Sequence, residues 1–380
     1  MNARKSRERP HFLTPVDRSR EMNYDYRRKC PDSGQREKTM LEFVTLENAG
    51  ELDEFVLSHP RCHYMQTSYW GKIKSDWLWR GVLSRDEAGT IRGAAAVLLH
   101  KMRGTPFHML YAPRGPICDW EDGKTFEELL EGIRQLGKEF HGYLFRMDPQ
   151  LLDGDEENKV RLEKLGFTIT PIDDFNAFQA RVVYQIEING RTEEEMLMDL
   201  PRKTRYGVRS AERKGVEVRA CGEEALPDFC RMMDATAERQ HFSAKSEAYF
   251  KKFLDCMGDH ARLYMGYYEG QAISGAIAVQ MGGKTWYAYS CADEAHRDIM
   301  GGYLVQWHLI LWAIQSGCSL YDLRGVEGFP TPDNPMAGLH HFKQSFGSHM
   351  VVFLGQMDLP LRKDWKLIQG AQELYGKLRK

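Results

Sequence analysis

The 380-residue chain contains no apolar run approaching the ~18 residues that a membrane-spanning helix needs, and its mean hydropathy is −0.54. Basic residues open the N-terminus with no apolar stretch behind them, so no secretory signal is expected. A cytoplasmic chain is the expectation. The eight cysteines, at 30, 62, 118, 221, 230, 256, 291 and 318, never form a CxxC pair. Such scatter points to reduced thiols and argues against both a disulfide framework and a zinc site. HExxH, the Walker loop and GxSxG are all missing, which removes the usual support for a metalloprotease, an NTPase or a serine hydrolase.

What is present suits a soluble chain with a substantial core: 42% hydrophobic and 28% charged residues, in a length that suits two or three domains. Net charge is −2, unevenly spread, with 11 Lys and Arg against 6 Asp and Glu in residues 1–39 and −7 over the remainder. A mildly acidic body argues against a dedicated nucleic-acid coat, though not against a local basic groove. Residues 1–39, polar and free of periodicity, are expected to form a disordered basic extension.

An internal repeat organises the rest. Gly93-Ala-Ala-Ala-Val-Leu-Leu recurs as Gly275-Ala-Ile-Ala-Val-Gln-Met, 182 residues later. A Tyr-bearing strand follows each copy, Met109-Leu-Tyr-Ala-Pro and Thr285-Trp-Tyr-Ala-Tyr. Helical segments come next (126–140 and 303–315), each stopped by a glycine, Gly142 or Gly317, before an apolar strand. The pattern predicts an α+β protein of two like domains, 40–183 and 184–354. The second opens with a strand over 182–188 and a helix capped by Thr192, whose first turn holds Glu193, Glu194 and Glu195.

Several residue patterns carry chemistry. Arg202, Arg205, Arg209 and Arg213 recur at helical spacing after Pro201; such a stripe suits phosphates or an RNA backbone, or else a solvated face balanced by Glu212. Aromatic and basic residues adjoin in Tyr69-Trp70-Gly71-Lys72-Ile73-Lys74, Tyr111-Ala-Pro-Arg114 and Lys245…Tyr249, which serves phosphate and sugar recognition or simple packing. Asp148 ends an apolar strand before Pro149, as a general base, a positioning group or a loop-holding acceptor. Lys343 follows Phe342 after a Pro-rich loop, where an enclosed ammonium would stabilise an oxyanion or clamp a phosphate. Arg297…Gly301-Gly302 before a helix is a degenerate phosphate-loop pattern. The basic segment 361–380 places Leu361, Trp365, Ile368, Tyr375 and Leu378 near one face, for packing or for an anionic membrane surface.

Taken in order, Gln66-Thr-Ser-Tyr-Trp-Gly-Lys-Ile-Lys74, Tyr111-Ala-Pro-Arg-Gly-Pro116, Arg146-Met-Asp-Pro149, Lys203-Thr-Arg-Tyr-Gly-Val-Arg-Ser-Ala-Glu-Arg-Lys-Gly215, Tyr321-Asp-Leu-Arg-Gly325 and Phe342-Lys343 resemble the FemABX family of peptidoglycan cross-bridge aminoacyltransferases. The resemblance implies two tandem acetyltransferase-like (GNAT-like) domains, the first completed by the C-terminal tail, 355–380. It implies transfer of Gly, Ala or Ser from an aminoacyl-tRNA to a stem-peptide amine of lipid II or UDP-MurNAc-pentapeptide, without metal or coenzyme. The expected location is the cytoplasm, with the basic segment 361–380 open either to packing or to peripheral contact with the inner membrane surface. By the same resemblance Lys74, Tyr143, Lys245 and Tyr249 meet the precursor, with Tyr111 and Arg114 beside them. Tyr287 and Tyr289 lie at the domain junction and Phe342 beside the reacting centre. Lys343, Asp148 and Tyr289 form the catalytic group. Lys245 stands where the family has Arg, and no coiled-coil arm fits between Tyr249 and Leu263, so the Arg202–Arg213 stripe is the expected tRNA contact. Two other readings remain open: an acyl-CoA-dependent N-acyltransferase using Arg297–Gly302, and a catalytically silent precursor-binding scaffold.

Overall fold

Two eleven-residue strands buried over most of their length, Ile91–Lys101 and Gln271–Met281, each lie third from one edge of their own sheet. The computed structural model describes residues 40–240 and 242–370; the expected extension 1–39 and the tail end 371–380 lie outside them.

The first sheet holds β1 (Met40–Val44), β2 (Leu78–Arg85), β3 (Ile91–Lys101), β4 (His108–Ala112), the short β5 (Ile117–Cys118), β6 (Gly142–Met147) and β7 (Thr168–Ile169). The second holds β8 (Val182–Glu187), β9 (Glu217–Cys221), β10 (Ala261–Tyr268), β11 (Gln271–Met281), β12 (Lys284–Ala292), β13 (Leu320–Val326) and β14 (His349–Val352). The last strand, β15 (Met357–Pro360), returns to the first sheet. Among the described residues ten α-helices connect them: α1 (Gly50–Ser58), α2 (Ser68–Ile73), α3 (Gly123–Glu139), α4 (Glu156–Lys164), α5 (Glu193–Asp199), α6 (Arg202–Arg213), α7 (Leu226–Gln240), α8 (Glu247–Met257), α9 (Gly301–Gln315) and α10 (Ala337–Gln344).

The two sheets run β1-β2-β3-β4-β6-β15-β7 and β9-β10-β11-β12-β13-β8-β14. Each is a four-strand antiparallel meander, then one parallel crossover made by a helix, α3 or α9. A helical crossover is what a parallel pair requires. The sheets then exchange strands reciprocally. β8 follows β7 in the chain yet sits in the second sheet between β13 and β14, and β15 follows β14 yet sits in the first between β6 and β7. A continuous core, from Leu52, Trp79, Leu98 and Tyr111 to Phe229, Phe253, Ile277 and Trp286, joins the inner faces of both sheets through α1, α2, α7 and α8. α9 is apolar all round, which suits a helix buried on two sides; β10–β13 lie beneath it and α6 above.

The register corrects one detail of the repeat. Gly93 pairs with Ser84 just before a bulge, and its counterpart before the equivalent bulge, facing Gly266, is Ser274 rather than Gly275. The two glycines therefore lie on opposite sheet faces. A Cβ on Gly93 would come within 2.7 Å of Thr125 of α3, and one on Gly275 within 3.0 Å of Phe229 of α7. The true offset along this strand is one residue shorter than the matching letters suggest.

The expected N-cap at Thr192 forms a full capping box with Glu195. The seven cysteines among the described residues are all free. No helix among these residues is long and apolar enough to cross a membrane.

Candidate active site

The parallel pairing of β4 with β6 brings Tyr111 and Asp148 to one edge, at the C-terminal ends of neighbouring strands. The Tyr111 hydroxyl donates to Asp148 Oδ2 at 2.6 Å, and the Arg114 backbone N–H donates to Oδ1 at 2.6 Å. The turn between them is built tightly. Arg114 takes a left-handed φ of 57°, and Gln66 spans β3 and the turn through Ala96 and Pro113. Gly115 leaves that glutamine its space, for a Cβ there would overlap the Gln66 amide. Asp148 is wholly buried, and burial pushes its carboxyl up against the opposing pull of Arg114 and Tyr111. Each oxygen thus takes one donor from the Tyr111–Arg114 turn, so Asp148 holds that loop while keeping lone pairs to spare. Tyr111→Phe is expected to destabilise the protein by ~1–3 kcal/mol by leaving a buried carboxylate one donor short; a denaturant titration of both proteins measures it.

Lys343, on α10, is 4% exposed. Its ammonium donates to the carbonyls of Arg324 at 3.2 Å and Gly325 at 2.9 Å, leaving one N–H for a ligand. Burial pushes it down to about 7, Asp322 opposing the fall and Arg324 adding to it. Phe342 meets Tyr303 and Phe346 edge to face, at 5.4 and 5.2 Å.

Arg324, which sequence reasoning missed, ties the two halves together. Its guanidinium donates to Gln179 Oε1 at 3.0 Å, faces His63 Nε2 at 3.3 Å and lies 5.8 Å from the Tyr64 ring centre. Its charge reaches Asp148 on one side and Tyr64, Asp322, Tyr289 and Tyr111 around it. His63 is neutral, held well below its usual range by burial and by Arg324 and Arg114. Arg114 stacks on Phe353, donates to Ala180 O at 2.7 Å and leaves Nη1 buried without a partner.

A second group lies where α2 meets α8. The Tyr249 hydroxyl bonds the Tyr289 hydroxyl at 2.8 Å. Lys74 and Lys245 lie 5.8 and 5.6 Å from the Tyr249 ring centre, and burial with Lys245 nearby lowers Lys74. Two ammonium groups around one ring suit an anionic ligand.

A model of the FemAB family matches residues 46–271 and 266–373. The chain belongs to the FemAB family. The lipid II:glycine glycyltransferase of Staphylococcus epidermidis is 23% identical, the alignment covering 82% of this chain and 91% of the relative. That of Staphylococcus haemolyticus is 24% identical, covering 85% and 94%. Among solved structures, FemX superposes with a TM-score of 0.78 at 21% identity, over 88% of this chain and all of that one. A tandem GNAT protein from the clavulanic acid pathway superposes at 0.52 with 11% identity, over 86% and 99%.

Against the residues expected from the FemABX resemblance, this FemAB chain brings Tyr111, Arg114, Asp148, Tyr289 and Lys343 together around Arg324, and Lys74, Lys245 and Tyr249 beside them. Three expectations need correction. Tyr287 and Tyr289 do not share a face, because β12 carries an extra residue: Tyr289 pairs with Ile277 and Tyr287 with Ala278, leaving Ala288 unpaired. Tyr289 faces the central core and Tyr287 the α9 side. Tyr143 lies ~16 Å from Asp148 along the strand, buried with Met102, Met109 and Ile368 and with Trp365 against that cluster. Trp365 and Ile368 are thereby used in packing. Arg205 is half-buried and donates to the end of α5, to Leu200 O at 2.9 Å and to Met198 O. The exposed residues of α6 are Arg202, Lys203, Tyr206, Arg209, Glu212 and Arg213, of which Arg202, Tyr206, Arg209 and Arg213 form one stripe, with Arg213 5.9 Å from the Tyr206 ring centre.

Proposed function

We propose that this chain is a tRNA-dependent aminoacyltransferase that adds Gly, Ala or Ser to the stem peptide of lipid II or UDP-MurNAc-pentapeptide. The observation that carries the reading is Lys343: a buried ammonium with a donor to spare, at the junction of the two sheets, in a FemAB chain whose relatives are named lipid II:glycine glycyltransferases.

The acceptor amine attacks the ester carbonyl of the donor, a C–N bond forms, and the carbonyl oxygen becomes an oxyanion. Lys343 stabilises that oxyanion, in a site dry enough to strengthen the attraction. The tetrahedral centre then expels the ribose oxygen, which leaves as a hydroxyl carrying the proton given up by the amine. Asp148, with acceptor capacity beyond its two bonds, is the candidate carrier for that proton, and the adjacent ribose hydroxyl of the donor is the alternative. The ester is already activated, so the step needs no metal or coenzyme. Lys74 and Lys245, around Tyr249, take the phosphates of the acceptor. The exposed α6 face takes the RNA. The buried face of the same helix packs through Gly207 on Tyr303, which touches Phe342, so α6 adjoins the helix that carries Lys343.

Incubation of the purified protein with lipid II and charged tRNAs, followed by mass spectrometry with and without prior RNase, tests the reading. One added aminoacyl unit, abolished by RNase, is expected and names the amino acid. A gain only from acetyl-CoA would replace the reading with an acyl-CoA-dependent N-acyltransferase; no gain from either would leave a binding scaffold.

A further inference from the structure

β13 is irregular where it passes Lys343. Its pairing with β8 runs from Leu320 to Asp322, breaks, and resumes at Gly325 and Val326. Inside the break Arg324 adopts a left-handed φ of 64°, a conformation that arginine seldom takes unless something holds it there. Asp322 holds it. Its Oδ1 accepts the Arg324 backbone N–H at 2.6 Å, and its Oδ2 is fixed to β8 by the Gln185 amide at 3.0 Å. The turn makes two successive carbonyls, of Arg324 and Gly325, converge on the Lys343 ammonium. Gly325 makes room for it, since a Cβ there would overlap that of Ala180.

We infer that Asp322 is the positioning residue of Lys343: it fixes the left-handed turn at Arg324, the turn aims two carbonyls at the ammonium, and the third N–H is thereby directed to the ligand. This rests on Lys343 being the oxyanion-stabilising group proposed above. Among the described residues the charged and titratable groups bearing on Lys343 are Asp322 and Arg324 from β13 and His340 on its own helix. His340 faces the Tyr184 hydroxyl of β8 at 2.7 Å and is lowered by burial. Asp322 is the one carboxylate that favours the charged lysine.

The sign of the pH effect follows. The ammonium is the active form, so the rate falls as pH rises through about 7 in the wild type. Asp322→Asn keeps an oxygen acceptor for the Arg324 N–H and removes the charge. Its rate profile is expected to fall at a pH lower by about one unit, with a severalfold lower kcat at pH 7 and an unchanged KM for the acceptor. Asp322→Glu, which restores the charge, is expected to restore the wild-type midpoint. If Asp322→Asn does not fold, Asp322→Ser, which also retains an acceptor, is measured instead, with the same expected shift. A midpoint and a kcat that both stay at their wild-type values would overturn the inference and leave the proposed reaction intact. Full turnover by Lys343→Met would overturn both.

Discussion

Lys343→Met loses turnover by a factor on the order of 10³ or more, while the affinity for the nucleotide precursor stays within a few-fold of wild type. The size follows from the site. Loss of a single neutral donor from an oxyanion-stabilising site typically costs ~10²–10³ in kcat, and this donor is a charged group in a dry junction. Precursor affinity is spared because Lys74, Lys245 and Tyr249 form a separate group. The variant also makes a thermodynamic prediction that does not depend on catalysis. Folding lowers Lys343 from the usual ~10.4 of an exposed lysine to about 7. Between those values the unfolded chain binds more protons than the folded one, so stability rises with pH across that window. The wild type should therefore gain on the order of 4 kcal/mol on the variant between pH 7 and pH 10.5, at ~1.4 kcal/mol per unit. Other titrating groups are common to both proteins and cancel. Denaturant titrations at three pH values measure the difference; parallel curves would show that Lys343 titrates as an ordinary exposed lysine. Turnover by the variant at a wild-type rate would remove Lys343 from the mechanism.

Much of the architecture was legible because it is written in local periodicity. Apolar runs, turn glycines and the Thr192–Glu195 cap declare where strands and helices begin. Identity of letters was a poorer guide to register. A bulge shifts the frame by one residue without altering composition, so the matching glycines at 93 and 275 proved to face opposite sides. A bulge at Ala288 likewise parts Tyr287 from Tyr289. Within the site, Lys343, Asp148, Tyr249 and Tyr289 stood in motifs that suggested roles, whereas Arg324, though inside the Tyr321–Gly325 motif, was given none, because its partners could not be read from the sequence. Its neighbours come from 63–64, 179 and 322, three stretches that meet only through the tertiary fold. One signal was available: opposite charges two residues apart, Asp322 and Arg324, inside an otherwise apolar strand ending in Gly-Val. An aspartate bonding the backbone two residues on is a turn device, and in mid-strand it marks a break.

The stripe on α6 shows how structure refines a sequence pattern, and it carries the second large prediction. Spacing alone gave four arginines, of which Arg205 is engaged by the end of α5. Tyr206 takes its place: residues 202, 206, 209 and 213 fall within about one-sixth of the helix circumference. An exposed tyrosine among three arginines combines a stacking surface with phosphate contacts, the pairing that single-stranded nucleic acid favours. Replacement of Arg202, Arg209 and Arg213 by Glu is expected to weaken aminoacyl-tRNA binding by about 10² or more at low salt. The slope of log affinity against log salt should fall by roughly 2–3, since each phosphate contact contributes about 0.7–0.9. Tyr206→Ala should instead cost ~1–3 kcal/mol of affinity through lost stacking, with the salt slope unchanged. Affinity for the precursor should stay at its wild-type value in both variants, because Lys74, Lys245 and Tyr249 are untouched. A triple variant with wild-type tRNA affinity and salt slope would return the stripe to a solvated face and move the RNA elsewhere on the protein. A triple variant that lost precursor affinity as well would point to general damage, which the distance between the two groups of residues argues against: α6 lies over α9, and Tyr249 lies on the opposite face of the second sheet.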